Sequence, residues 1–215
     1  MSESPLRPRY RGVLHVVGLL GVGLAAGPLL ALADPGKERF GVVVYLFGIA
    51  SMFGVSALYH RGTWRPKAKR VFQRLDHSTI FLAIAGTYTP IVLLGLRGGL
   101  RTAVMGLVWG GATLGIVLQW LPVGPSRVSM AVIYAIVGWS ALIALPQLVR
   151  ALGWATFALV FGGGVSYTVG SVVYARKRPD PRPATFGFHE VFHACTLIGA
   201  SAHLFAIVRT LGHHR

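Results

Sequence analysis

Two segments of the sequence carry histidines at a spacing that suits metal binding. His189 and His193 are four residues apart, so they would lie about one turn apart on the same face of a helix. Two imidazoles in this arrangement are able to bind one zinc ion at about 2 Å each. Ser56 and His60 have the same spacing in an earlier segment. A third imidazole, from His60, would complete a set of three histidines and leave the fourth position on zinc for water, as catalytic zinc requires.

A carboxylate, Asp76, stands at the start of a further apolar run. It would accept a hydrogen bond from the metal-bound water, or orient one of the metal ligands. Its neighbour His77 would point roughly 100° away around the same helix, so we do not place it among the ligands. A histidine near a helix end is often only an interfacial residue whose polar tip lies among lipid headgroups. For each histidine alone that alternative stands, and only their convergence at one depth favours a metal.

The elements that must position these side chains are transmembrane helices. The chain of 215 residues is 53% hydrophobic and 13% charged, with a mean hydropathy of +0.61. Soluble domains have roughly 25% charged residues, so this chain has too few to cover a water-facing surface. Its net charge of +15 does not indicate a nucleic-acid partner, because the basic residues lie in short segments between apolar runs and form no basic face with interleaved aromatic residues.

Seven apolar runs are close to the roughly 20 residues that a helical span needs. The sequence therefore predicts an all-α polytopic membrane protein, a bundle of seven transmembrane helices over 13–208, with tails at 1–12 and 209–215. No connecting segment has room for a second domain. The first run has an alternative reading as a signal peptide, but its apolar stretch is longer than the ~7–15 residues of a signal core. The predicted runs are 13–33, 40–60, 77–96, 101–121, 127–145, 152–174 and 188–208.

The distribution of Lys and Arg predicts the orientation of this bundle. Fourteen of the 21 basic residues lie in the N-terminal tail and in the second, fourth and sixth connecting segments, and seven lie on the other side. This bias places the N-terminus in the cytoplasm and the C-terminus outside. The end of the second run and the starts of the third and seventh then all face the cytoplasm. The charge count takes no account of the candidate site residues, yet it puts all of them at one depth: Ser56, His60, Asp76, His189 and His193.

Two features near this site have competing interpretations. The segment from His189 to His193 also matches the His-Glu-x-x-His pattern of zinc metalloproteases, in which Glu190 would be the general base. Glu190 is alternatively an anion stabilised at a helix N-terminus, and no later ligand on this helix is near enough to complete a protease site. His203 lies about 15 Å along the helix from His193, too far to join the site. His15, near the start of the first run, could reach its outer shell.

Four segments resemble the bacterial haemolysin III branch of the progestin and adipoQ receptor family, and the resemblance extends over essentially the whole chain. It implies a seven-helix membrane fold with a cytoplasmic N-terminus, and a zinc ion held by three histidines. By motif these are His60, His189 and His193, with Asp76 on the zinc-bound water and Ser56 beside the site. Many members have a Glu-Glu-x-x-Asn stretch before a histidine in helix one, of which only the histidine is present here. The four segments are 56–60 (SALYH), 74–78 (RLDHS), 84–90 (IAGTYTP) and 189–193 (HEVFH).

The leading functional hypothesis is a zinc-dependent hydrolase that acts on an amide or ester bond of a membrane lipid. Zinc would activate water and polarise the scissile carbonyl, Asp76 would take the proton, and Ser56 would hydrogen-bond the ligand shell or the developing oxyanion. The eukaryotic relatives in the family resemble ceramidases, so an acyl-chain or sphingolipid-like substrate is expected. The location is a cell membrane, the plasma membrane or a bacterial inner membrane.

The alternative hypothesis is a non-enzymatic lipid sensor or receptor-like protein of membrane homeostasis, in which zinc is a structural clamp. A closed sphere of four protein ligands would favour this alternative, because structural zinc sites are closed. Cytolysis, which the family name implies, is disfavoured because none of the predicted spans has a polar stripe that would line a pore. The sequence leaves the oligomeric state open.

Overall fold

The computed structural model describes residues 8–123 and 126–212. Parts of the two predicted tails, including His213 and His214, lie outside the described residues. Throughout the described part the fold is all-α, with one isolated β-bridge between Arg182 and Phe186. The helices are α1 (Val13–Leu32), α2 (Lys37–Arg61), α3 (Pro66–Gly95), α4 (Gly98–Trp120), α5 (Arg127–Gly138), α6 (Leu145–Arg176) and α7 (Phe188–Gly212), with a short 3-10 helix (Ser140–Ala144) between α5 and α6.

Six helical segments of the described chain are long and apolar enough to cross a membrane. They are α1 to α4, α7 and the stretch Val128–Arg176, which contains both α5 and α6. Large apolar side chains point outward from these helices, as on Leu24 and Ile136, which are 81% and 66% exposed. The prediction of an all-α, multi-pass membrane protein is therefore confirmed. The count of seven spans and the orientation of the termini stay predictions.

Near its start, α6 contains a sharp change of direction. Gly153 has φ 78° and ψ 160°, a conformation that residues with a Cβ rarely adopt. Just before it, Leu148 and Leu152 are buried against Gly95 at the end of α3. After it, α6 runs back beside the end of α5, where the indole N–H of Trp139 donates a hydrogen bond of 3.0 Å to the hydroxyl of Thr168. The predicted run 127–145 thus lies before this change of direction, and all but the first residues of the run 152–174 lie after it.

The central helix is α3, which packs closely against α2 and also contacts α4, α5, α6 and α7. Glycines allow the close approach of α2 and α3. A Cβ on Gly48 would lie 2.5 Å from the carbonyl oxygen of Leu82, and one on Gly86 would lie 2.9 Å from that of Val44. Small residues of this kind let membrane helices pack backbone against backbone. The end of α2 and the start of α3, which carry His60 and Asp76, are consequently held side by side.

Candidate metal centre

Three buried histidines from two helices meet at one end of the bundle. His60 lies in the last turn of α2, and His189 and His193 lie in the first two turns of α7. Their side chains are 7%, 8% and 1% exposed, respectively. One ligand nitrogen from each lies within 4.8 Å of the other two, and the group could hold a metal ion. The spacing argument for α7 and the convergence of α2 with α7 are therefore both reproduced in the fold.

The separation of the nitrogens fits one ion of the size of zinc. The Nε2 atoms of His60 and His189 are 3.1 Å apart. Around a tetrahedral zinc with Zn–N bonds of about 2.05 Å, ligand nitrogens lie about 3.3 Å from one another. Without an ion, the same distance also permits an N–H···N hydrogen bond between the two rings. The donor set of three imidazoles is the one that suits zinc and other divalent transition metals.

The start of α7 is fixed by two carboxylates that cap it. Glu190 Oε2 accepts a hydrogen bond of 2.9 Å from the backbone N–H of Gly187, and Asp180 Oδ1 accepts one of 2.8 Å from Phe188. A glutamate at the third helical position that reaches back to the cap residue is half of a capping box. The other oxygen of Glu190 pairs with Arg11 Nε at 2.7 Å. The cap bond agrees with the interpretation of Glu190 as a helix-terminal anion, and the ion pair with Arg11 is an addition that the sequence did not predict.

The segment before α1 lies across the same end of the bundle. The backbone N–H groups of Arg9 and Tyr10 donate to the carbonyl oxygens of Ala184 and Thr185, at 3.1 and 3.2 Å. Gly12 follows with φ 79°, and a Cβ on it would lie 2.7 Å from the Cβ of His60. The chain therefore passes directly over His60. This contact contributes to the burial of His60.

Asp76 and Ser56 stand beside the three histidines. The Oδ2 atom of Asp76 is 3.7 Å from Nε2 of His60, longer than a hydrogen bond. Ser56 is one turn before His60, is 2% exposed and lines the same cavity as Asp76. All of the site residues predicted from the sequence are thus brought to one place, with Asp76 and Ser56 next to the histidine group rather than within it.

The remaining histidines take different positions. The ring of His15 lies parallel to that of His193, with centroids 3.7 Å apart, so it reaches the site as its place near the start of α1 predicted. His77 lines the neighbouring cavity but does not belong to the histidine group. His203 is farther along α7, where its Nε2 is 3.0 Å from the carbonyl oxygen of Val160 on α6. The separation of His203 from the site agrees with its distance along the helix.

A cavity of about 310 Å³ leads from the histidines into the bundle. Such a volume is at the lower end of the roughly 300–1,000 Å³ that small-molecule sites occupy. Two tyrosines in its wall form hydrogen bonds with the backbone of neighbouring helices. The hydroxyl of Tyr134 donates to the carbonyl of His77 at 2.9 Å, and that of Tyr88 donates to the carbonyl of Gly138 at 2.5 Å. Sequence reasoning did not find this cavity, since its wall comes from all seven helices and no local pattern marks it. Its apolar lining includes Met52, Ile80, Ala83, Ile84, Met130, Ala131, Ala135 and Phe192.

Comparison with known proteins agrees with these features. The family described as "Haemolysin-III related" matches residues 4–204. The "Hemolysin-3 homolog" of Bacillus subtilis (strain 168) is 31% identical over 199 residues, which are 91% of this chain and 90% of that protein. "Hemolysin-3" of Bacillus cereus is 30% identical over 169 residues, 79% of this chain and 72% of that protein.

A more distant similarity extends to an animal protein. The "Monocyte to macrophage differentiation factor" of Homo sapiens is 24% identical over 184 residues, which are 84% of this chain and 74% of that protein. This similarity supports the relationship to the progestin and adipoQ receptor family that the motifs predicted. Together with the six apolar helical segments, these findings identify the chain as a multi-pass membrane protein that belongs to the haemolysin III family.

Proposed function

We propose that this protein binds zinc through His60, His189 and His193 and hydrolyses an amide or ester bond of a membrane lipid. The observation that carries the proposal is that three imidazoles and a carboxylate stand together where an apolar cavity meets the end of the bundle. A bound zinc ion would supply a Lewis acid for the scissile carbonyl and would lower the pKa of water to about 7. Three protein ligands leave a position open, as hydrolytic zinc sites do.

Asp76 is the proposed proton acceptor in this reaction. Its carboxylate lies beyond hydrogen-bond length from His60, so it is adjacent to the ligands without joining them. Ser56 lines the same cavity as this carboxylate, and a hydrogen bond from its hydroxyl would orient the carboxylate toward the attacking water. General acid–base catalysis by a positioned side chain contributes typically 10²–10⁴-fold to a rate.

The cavity gives the proposal its substrate class. Most of its wall is apolar, as at Met52, Ile84 and Met130, and His189, His193 and Asp76 line it as well. A molecule with a hydrolysable polar group and an acyl chain would place its polar group at the histidines and its chain along the bundle. Membrane lipids with an N-acyl or O-acyl chain, including sphingolipid-like amides, have this form. The non-enzymatic lipid sensor remains the alternative, and it would use the same histidines and the same cavity.

We further propose seven spans, with the N-terminus in the cytoplasm and the C-terminus outside. In support, α5 runs along α3. The hydroxyl of Tyr134 on α5 donates a hydrogen bond to the carbonyl of His77 near the histidine end. The carbonyl of Gly138 on α5 accepts one from the hydroxyl of Tyr88, nearer the opposite end. The chain then turns at Gly153 within α6, and the rest of α6 returns beside α5. The bias of Lys and Arg toward the histidine end puts the proposed site on the cytoplasmic side.

Metal analysis of purified protein tests the ligand assignment. Wild type is expected to carry about one zinc per chain, and His60→Ala, His189→Ala and His193→Ala are each expected to bind it more than about tenfold more weakly, because two imidazoles remain. His203→Ala serves as the control, since it removes a buried histidine of α7 that bonds to Val160 instead. Full zinc content in all three site variants would refute the assignment.

Substitution of Asp76 separates catalysis from metal binding. Asp76→Asn is expected to keep its zinc and to lose about 10²–10⁴-fold in turnover of fluorescent N-acyl and O-acyl lipids in detergent micelles, because the proton acceptor is removed. Asp34→Asn, at the opposite end of α2, is expected to be unaffected. A wild-type protein with full zinc and no turnover of either lipid class would contradict the hydrolase proposal and favour the sensor.

A bulky side chain in the cavity wall tests the acyl-chain proposal. Ala135→Phe projects into the cavity from α5, so it should lower kcat/KM for long-chain lipids at least about tenfold while leaving short-chain substrates and zinc content little changed. Ile136→Phe is the matched control, since Ile136 is 66% exposed on the outside of the same helix. Equal effects of the two variants would show that the chain does not bind in the cavity.

Cysteine labelling tests the span count and the orientation. In a Cys195→Ala background, a membrane-impermeant maleimide should label Asp34→Cys and Arg150→Cys in intact cells, whereas Thr63→Cys and Pro181→Cys should react only after permeabilisation. The reason is that α1–α2 and α5–α6 connect at one end of the bundle and α2–α3 and α6–α7 at the other. Labelling of Arg150→Cys together with Thr63→Cys would mean that the α5–α6 stretch does not cross twice.

A further inference from the structure

The orientation of the His193 ring is not set by a hydrogen bond. Its Nδ1 atom is shielded from solvent and has no hydrogen-bond partner among the described residues. Metal-binding imidazoles usually donate their second N–H to a carboxylate, a carbonyl or a water, and that bond holds the ring in the plane that the metal requires. Some other contact must therefore fix His193, which is 1% exposed at the first turns of α7.

That contact is the face of His15. The two rings are nearly parallel, at 9°, with centroids 3.7 Å apart. His15 is 3% exposed, and neither of its ring nitrogens has a hydrogen-bond partner in the described part of the chain. Its contact with His193 is thus made through the ring face rather than through its nitrogens. Because imidazole lone pairs lie in the plane of the ring and these two planes are stacked and nearly parallel, one ion cannot lie in both planes.

A second aromatic ring, that of Phe53, also contacts His15. The ring of Phe53 on α2 meets His15 edge-on, with centroids 5.2 Å apart and an angle of 68°. Phe53 is 2% exposed and has no room to retreat toward α1, because a Cβ on Gly18 would lie 2.8 Å from its ring. His15 is therefore clamped between Phe53 and His193, and the packing of α1 on α2 is transmitted to a candidate ligand on α7.

We propose that His15 is a positioning residue, which sets the plane of the His193 ring by stacking and thereby raises the metal affinity of the site without ligating the ion. This inference rests on the proposed metal site, but not on hydrolysis. A stacked ring replaces here the hydrogen bond that most metal-binding histidines use. The loss of such an outer-shell partner typically weakens metal binding 10–100-fold.

The experiment measures Co²⁺ and Zn²⁺ affinity and the visible absorption bands of bound Co²⁺ in purified full-length protein. His15→Ala is expected to weaken binding about 10–100-fold and to shift the Co²⁺ bands, because His193 becomes free to turn. His15→Phe keeps an aromatic face without nitrogens, so its metal affinity should stay within about threefold of that of wild type. If Phe proves too large for the space, His15→Phe combined with Phe53→Leu restores the volume and should show the same rescue.

Three outcomes would overturn the inference, and they are distinguishable. If His15→Ala and both Phe variants lose metal affinity equally, while gel filtration and circular dichroism show that all are folded, a nitrogen of His15 is needed. Wild-type affinity and spectra in His15→Ala would mean that the stack has no role, while the metal site itself stands. Absence of metal binding by wild type would overturn the metal site together with this inference. Val17→Ala, at a position of α1 that is 51% exposed, is the control for the helix.

Discussion

The geometry of the candidate site depends on one buried ion pair. Glu190 is 0% exposed, and a carboxylate so far from water must be paired and hydrogen-bonded to be tolerated. Arg11 supplies the charge and Gly187 supplies the N–H. Loss of either charged partner from such a pair typically costs about 3–5 kcal/mol, because the other is left buried and unpaired. The pair joins the N-terminal segment to the first turn of α7.

The ion pair between Arg11 and Glu190 helps to explain why residues distant in the chain share one site. The N-terminal segment is bonded to the α6–α7 connection and passes over His60, so α1, α2 and α7 are held at the same end. Close packing of α2 on α3 at Gly48 and Gly86 then brings Asp76 beside His60. Each polar group is placed by helix packing rather than by a loop, which suits a site that must hold its geometry within about half an ångström.

The polar site residues lie beside an apolar cavity inside a bundle of membrane helices. Polar side chains at membrane depth are costly and are usually kept for function. Here they line a largely apolar cavity between the helices. A lipid acyl chain would meet apolar side chains over most of its length and the imidazoles only at its polar group. The same arrangement would let a sensor detect such a lipid, since a sensor and a hydrolase would both begin by binding it in this cavity.

The sequence by itself determined what depends on local composition and spacing. Apolar runs identify membrane helices because lipid leaves no other partner for the backbone, and the four-residue spacing of His189 and His193 puts both on one helix face. Tertiary structure alone decided the rest: that His15 stacks on His193, that Glu190 pairs with Arg11, that the chain turns at Gly153, and that the helices leave a cavity between them. These features depend on which helix faces meet, and such pairings between distant segments leave no pattern within any one segment.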